Sequence, residues 1–207
     1  MRSNFLSVGV FVTISLVLFA GCASTQQRAD RAAGRRLNQP YVDSAEYRQS
    51  PERPASDVSS YWVGGGTGMP RIVVRLGEQK AYFYRGSTLA GVSAISSGRE
   101  GYRTPTGVYK VIQKSRDHRS NLYGDYVDDS GTVVQRNVSV RKHQKPSGAE
   151  FRGAPMPHFL RFHGGYGLHG GYLPGYPASH GCIRLPKYMA AHFFDNADYG
   201  TPVVVEP

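Results

Sequence analysis

The sequence is poor in cysteine, which occupies only two of its 207 positions, Cys22 and Cys182. Two cysteines cannot form the several cross-links of a disulfide-rich scaffold, nor the thiolate pairs of a cysteine-based zinc module. A single thiol exposed to an oxidising compartment is easily lost to oxidation. Cys182 is therefore expected either to be buried and inert or to be present for its reactivity.

Long apolar runs are equally scarce, and only residues 5–20 form one. One such run excludes a multispanning membrane protein or a coiled coil, and its length and flanks predict a secretory signal peptide over residues 1–21. Residues 18–21 resemble a bacterial lipobox with Phe19 at the usual aliphatic position, so Cys22 is predicted to be lipidated. Ordinary signal cleavage near the same place is the alternative. Ala23 after the cysteine favours the outer membrane, on the periplasmic side of a bacterial envelope.

Acidic residues are also few, because 15 Asp and Glu oppose 25 Lys and Arg, a formal net charge of +10. Residues 69–207 hold 18 basic and 10 acidic side chains, and therefore carry +8 of this charge. Such a surface suits nucleic acid, an anionic membrane or an acidic envelope polymer. Predicted export and the scattered placement of the charge argue against nucleic acid.

Residues 22–68 lack lasting apolar periodicity and are predicted to be a flexible tether. Residues 69–207 alternate short β-rich segments with glycine-containing turns, which indicates antiparallel hairpins. The fold class expected is mainly β, a sandwich or barrel with one or two short helices. The predicted strands are residues 71–76, 79–85, 88–95, 108–113, 132–140 and 201–206, and the predicted helix is 186–196, with Pro186 in its first turn.

Residues 158–184 concentrate the chemically active side chains, with four of the seven histidines and Cys182. The stretch ends in Ser179-His-Gly-Cys-Ile-Arg184. Histidine and arginine beside a cysteine can lower the pKa of its thiol and supply a base, which favours a nucleophile. A buried inert thiol remains the alternative.

This hexapeptide resembles the signature of YkuD-type L,D-transpeptidases. The matching upstream pair is His169-Gly170, thirteen residues before Cys182. Residues 104–107, Thr-Pro-Thr-Gly, preceded by Gly98, resemble a second segment of that family. The similarity spans about residues 70–207, and it implies a mixed β-sandwich with the cysteine near a strand end.

The resemblance also implies a role for each matched residue. Cys182 would be the nucleophile and His169 the base that keeps it as thiolate, oriented by the carbonyl of Gly170. Backbone N–H groups around His180, Gly181 and Cys182 would form an oxyanion hole. The residues that would support this turn are Ser179 and Arg184, and Arg184 could instead meet a substrate carboxylate. No cofactor and no metal ion are implied.

The implied reaction is acyl transfer on peptidoglycan stem peptides, through a thioester and with release of terminal D-Ala. The resemblance leaves the acceptor open between a second stem peptide, the lysine of an envelope protein, water and a free D-amino acid. Lipidation at Cys22 would add the membrane as a partner. Two alternative functions remain, a catalytically idle wall-binding lipoprotein and a zinc hydrolase.

The other histidines compete for these roles. His163 also precedes a glycine, but residues 159–168 read as one strand, which would hold His163 and His169 about 20 Å apart unless the Gly164-Gly165 pair folds the strand back. The zinc alternative would use His163, His169, His180 and Cys182 as ligands. Surface or helix positions are expected for the rest: His118, His143, His158 and His192.

Overall fold

The computed structural model describes residues 59–207. The predicted signal peptide, the predicted lipidation site Cys22 and most of the predicted tether lie outside the described residues. Within residues 59–207, no helix is long and apolar enough to cross a membrane.

Two β-sheets and one helix make up this part of the chain. The strands are β1 (Tyr61–Trp62), β2 (Pro70–Arg75), β3 (Lys80–Arg85), β4 (Thr88–Ala94), β5 (Gly107–Lys110), β6 (Gln113–Val127), β7 (Val133–Ser139), β8 (Glu150–His163), β9 (Tyr166–Gly170), β10 (Ile183–Leu185) and β11 (Pro202–Glu206), and the helix is α1 (Lys187–Asn196). The first sheet has six strands in the order β1-β4-β3-β2-β11-β5, and the second has five in the order β10-β9-β8-β6-β7.

The two sheets enclose one main core. β-Branched and aromatic residues line the inner face of the first sheet, where Ile72 and Phe83 are fully buried. They belong to the same apolar cluster as Leu160 of β8 and Phe193 of α1. The predicted mainly β sandwich is confirmed, and α1 is the only helix among residues 59–207.

The segment 159–168, predicted as one strand, is a hairpin. β8 ends at His163, and β9 begins at Tyr166 and returns antiparallel, with His163 opposite Tyr166. Gly164 adopts a φ of 48°, which suits the tight turn between the strands. The extended spacing predicted between His163 and His169 is therefore wrong.

The longest strand pair, β6 with β8, follows no local sequence signal. β6 is largely polar, and β8 carries Pro155 and Pro157, which are uncommon inside a sheet. The two strands pair antiparallel along most of their length, with a register shift between Arg119 and Gly124. Their pairing carries the side chains of β6 to the site described below.

The ordered fold begins before residue 69. β1 pairs with β4, with Trp62 opposite Gly91, and Ser60 is buried. The Trp62 ring stacks on His192 of α1 at 4.9 Å between centroids and meets Phe83 edge to face. Residues 60–62, which the sequence assigned to the tether, are thus an edge of the first sheet.

Candidate active site

The predicted base lies on β9, and the predicted nucleophile lies directly before the neighbouring parallel strand β10. β9 and β10 pair in parallel, with Leu168 opposite Ile183 and His169 opposite Arg184. Leu168 and Ile183 face the apolar core. Because side chains alternate along a strand, His169, Arg184 and Cys182 face the other way. All three line one cleft of about 800 Å³.

The turn before β10 is held by side-chain hydrogen bonds. Ser179 Oγ accepts the N–H of Gly181 at 2.9 Å and donates to the carbonyl of Cys182. Thr104 Oγ1 donates to the carbonyl of Gly181 at 2.8 Å and accepts the N–H of Gly98 at 2.9 Å. The two segments that resemble the family therefore meet in space at this turn.

Only glycine fits at position 181. Its φ is 110°, a conformation that L-residues rarely adopt, and a Cβ there would lie 2.4 Å from Cε1 of Tyr166. The N–H of Gly181 is already bound to Ser179, so it is not available to an incoming oxyanion. An oxyanion hole at this turn would have to use the N–H groups of His180 and Cys182.

His169 is held as a neutral base. Its Nδ1 lies 2.9 Å from the carbonyl oxygen of Gly170, which can only accept, so Nδ1 carries the proton. Burial lowers the pKa of His169 to about 3, against the opposing effect of that hydrogen bond, and Arg184 adds to the lowering. The ring is therefore neutral at pH 7, with Nε2 unprotonated and able to take a proton.

Cys182 is a half-buried free thiol whose Sγ lies 3.7 Å from the carbonyl oxygen of Gly165. Burial raises the pKa of Cys182, while a backbone hydrogen bond at Gly167 and the charges of Arg184 and Arg161 act in the lowering direction. Arg184 therefore acts in the predicted direction, but burial outweighs it and the pKa of the thiol is raised overall. At pH 7 the cleft thus holds a neutral thiol and a neutral imidazole.

His180 belongs to an aromatic and cationic cluster at the edge of the cleft. Its ring stacks on Tyr123 at 3.9 Å and meets Tyr102 edge to face at 4.8 Å. Its Nε2 lies 3.0 Å from Nη2 of Arg99. Burial, with the charge of Arg99 next, lowers the pKa of His180 to about 3. These contacts give His180 a supporting position in the wall of the cleft.

Arg184 ties the site to the first sheet. Its backbone exchanges two hydrogen bonds with Ser96, each of 3.0 Å, and the residue is buried. Its side chain packs against Gly171, where a Cβ would lie 3.2 Å from the Cδ of Arg184. Arg184 therefore joins the segment after β4 to the strand that follows Cys182.

The remaining histidines divide between the cleft and the surface. His163 is exposed, packs beside Tyr109 at 5.0 Å, and does not line the cleft. His118 does line it, stacked on Phe159 at 4.2 Å. The sequence analysis placed His118 on the surface, because nothing local indicates that β6 reaches the cleft.

Three arginines of the cleft also escaped sequence analysis. They come from separate parts of the chain and all line the cleft: Arg103, Arg141 and Arg161. Tyr166 and Tyr172 line it too. Within residues 59–207, no three His, Cys, Asp or Glu side chains meet so as to hold a metal ion. The zinc hydrolase alternative therefore has no ligand set in this part of the chain.

The family model described as the L,D-transpeptidase catalytic domain, YkuD, matches residues 69–205. This match spans more than half of the chain and includes the cleft residues His169, Cys182 and Arg184. The chain belongs to the YkuD family of L,D-transpeptidase catalytic domains.

Three solved L,D-transpeptidases are similar to this chain at low sequence identity. One from Mycobacterium smegmatis is 18% identical, with a TM-score of 0.50, over 67% of this chain and 59% of that one. One from Stackebrandtia nassauensis is 18% identical, with a TM-score of 0.49, over 74% of this chain and 62% of that one. One from Enterococcus faecium is 25% identical, with a TM-score of 0.48, over 67% of this chain and 50% of that one. The chain thus spans less than two thirds of each. No curated protein matches it.

Proposed function

We propose that this protein is a cysteine-dependent L,D-transpeptidase that acts on peptidoglycan stem peptides. The observation that carries the proposal is that His169 on β9 and Cys182, directly before the parallel strand β10, line one cleft in a chain of the YkuD family. A thiol with a positioned neutral imidazole is the minimum required for acyl transfer through a thioester.

Acylation begins with a proton transfer. As Sγ of Cys182 attacks the carbonyl carbon of the third stem residue, its proton moves to Nε2 of His169, and the carbonyl oxygen becomes an oxyanion. The N–H groups of His180 and Cys182 stabilise that charge. The intermediate then expels the amine of the terminal D-Ala, which takes the proton from His169 and leaves a thioester on Cys182.

Deacylation repeats these steps with an amine acceptor. The amine attacks the thioester carbonyl, His169 accepts the proton that the amine loses, and Sγ leaves and is reprotonated. A new amide bond forms and the enzyme returns to its neutral pair. The Nδ1–H bond to Gly170 keeps the same imidazole tautomer throughout, so Nε2 exchanges the proton in both halves.

The test compares wild-type protein with Cys182→Ala on tetrapeptide-containing sacculi. We expect D-Ala release and a new muropeptide mass only with the wild type, and intact-protein mass spectrometry should show an acyl adduct on Cys182. Circular dichroism of the variant confirms that it folds. A folded Cys182→Ala variant that still releases D-Ala would refute the mechanism, and a wild type that binds sacculi without releasing D-Ala would identify an idle wall-binding protein.

Muropeptide masses from the same reaction identify the acceptor. A cross-linked dimer indicates a second stem peptide, a tripeptide indicates water, and an exchanged terminal residue indicates a free D-amino acid. Attachment of an envelope protein would appear as a muropeptide bound to one of its lysines.

We further propose that the protein is a lipoprotein on the periplasmic side of the outer membrane. The support is the apolar run of residues 5–20 followed by Cys22. Diacylglycerol attaches through a thiol, so Cys22→Ser should move the protein out of the detergent phase in phase partitioning. Unchanged partitioning would show that Cys22 does not carry the anchor.

A further inference from the structure

One side of the cleft carries a cluster of positive charge. We define the cationic rim as Arg99, Arg103, Arg141 and Lys142. Arg103 and Arg141 line the cleft directly, and both are exposed. The other two are tied to Tyr102, another lining residue: Arg99 lies over its ring at 4.2 Å, and Lys142 donates to its hydroxyl at 3.0 Å.

The rim adjoins the nucleophile. The backbone N–H of Arg99 donates to the carbonyl of Ser179 at 3.1 Å, and the Arg99 side chain reaches the same oxygen at 3.3 Å. A Cβ on Gly181 would lie 3.4 Å from the carbonyl oxygen of Tyr102. The loop that carries Arg99 and Arg103 therefore packs on the turn that ends in Cys182, while Arg161 adds a further positive charge from β8.

No acidic side chain balances this charge inside the cleft. None of the described Asp or Glu residues lines it. The ion pairs described for residues 59–207 lie elsewhere, at Arg75 with Glu78 and Glu206 and at Arg116 with Asp195. A cleft lined by charges of one sign focuses its field on whatever enters, and it favours ligands of the opposite sign.

We propose that the cleft selects an anionic acyl donor, one whose free carboxylates bind the cationic rim, and that a donor with amides in place of those carboxylates is used poorly. The proposal rests on the proposed acyl transfer and adds the charge class of its donor. Carboxylates form short, charge-assisted hydrogen bonds with arginine and lysine, whereas a neutral amide offers only an ordinary acceptor. The tyrosine that Arg99 and Lys142 share, Tyr102, holds two of these cations at the edge of the cleft.

The first experiment measures the field at Cys182 without any acyl transfer. Iodoacetate and iodoacetamide have similar size and differ in charge, and each alkylates a thiolate, with formation of an S–C bond and loss of iodide. The rate constant at Cys182 is read for each reagent by peptide mass spectrometry, which separates it from any reaction at Cys22. Each is divided by the rate constant of a small free thiol.

We expect the normalised iodoacetate-to-iodoacetamide ratio at Cys182 to exceed one at low salt and to fall as salt is added. The double variant Arg103→Gln/Arg141→Gln should lower that ratio by about three- to tenfold, as expected for two charges screened mostly by water. The matched control Lys110→Gln/Lys145→Gln removes two exposed charges that do not line the cleft, and it should leave the ratio unchanged. A ratio near one in the wild type, or an equal loss in both double variants, would overturn the proposal.

The second experiment uses tetrapeptide donors with free or amidated carboxylates. D-Ala release should be faster from the free acid, and Arg103→Gln/Arg141→Gln should reduce that preference while Lys110→Gln/Lys145→Gln retains it. Equal rates on the two donors, or faster release from the amidated one, would overturn the charge inference and leave the proposed function standing. If neither donor releases D-Ala, the proposed function fails, and the alkylation ratio still decides whether the cleft selects anions.

Discussion

The neutral state of His169 makes a testable link between pH and stability. The pKa of this histidine is about 3 in the folded protein, against 6.5 for an ordinary histidine, because its ring is buried. Below pH 6.5 His169 takes up a proton in the unfolded chain, whereas in the folded chain its ring stays neutral until about pH 3. The contribution of the neutral, buried His169 to the free energy of unfolding is therefore complete above pH 6.5 and is lost progressively as the pH falls.

The size of the effect follows from these two values. Between about pH 7.5 and about pH 5, protonation of His169 in the unfolded chain lowers the free energy of unfolding by about 2 kcal/mol. His169→Gln removes this titration and keeps a side-chain amide that can donate to Gly170. Between about pH 7.5 and about pH 5, the free energy of unfolding of the variant should therefore fall by about 2 kcal/mol less than that of the wild type. The two proteins can still differ in stability at pH 7.5.

Urea unfolding at a series of pH values measures this difference. Other titrating groups are common to both proteins and cancel in the comparison. The matched control is His163→Gln, which removes an exposed histidine from the same hairpin and should keep the wild-type pH dependence. If His169→Gln follows the wild-type curve, the buried ring is protonated in the folded state, and the neutral-base mechanism is refuted.

Two further predictions concern the turn that holds the nucleophile. Gly181→Ala should lower the free energy of unfolding by about 3 kcal/mol, from backbone strain and the contact with Tyr166 together. Gly175→Ala, with a φ of 91° and no atom within 4 Å of the added Cβ, should lose only about 1 kcal/mol from strain, and equal losses in urea unfolding would contradict the clash. Thr104→Val leaves a buried N–H and a buried carbonyl without their partner, so it should lose about 2–3 kcal/mol and slow the alkylation of Cys182. The control Thr106→Val changes an exposed side chain, so it should alter neither the free energy of unfolding nor the alkylation rate of Cys182. Equal behaviour of Thr104→Val and Thr106→Val would show that the two hydrogen bonds of Thr104 do not hold the turn.

Features that depend on neighbours in the chain were predictable from the sequence. The hairpins β2–β3 and β3–β4 follow from β-rich segments separated by short turns. The predicted helix 186–196 is found as Lys187–Asn196, with Pro186 at its N-cap instead of in its first turn. The family resemblance came from the short motif around Cys182, and the family match confirms it. These patterns involve residues that are close in the sequence, so they can be recognised without the tertiary structure.

Features that depend on strand pairing were not predictable. β6 is polar and is held in place by its pairing with β8, whose partner residues lie tens of positions away in the chain. That pairing carries His118 into the cleft. The turn at Gly164 and Gly165 was considered as a possibility, but only the pairing of His163 with Tyr166 decides that the chain folds back.

The sequence by itself determined which residue types could perform the chemistry, because a motif is defined by its side chains and their order. The tertiary structure decided the protonation state of these side chains and which groups surround them. Burial makes the imidazole of His169 neutral and raises the pKa of the Cys182 thiol, although the arginine near that thiol in the sequence suggested the opposite. Folding also brings Arg103 and Arg141 from separate loops to one side of the cleft. Desolvation and electrostatic potential depend on everything that packs around a group, and most of those neighbours are distant in the chain.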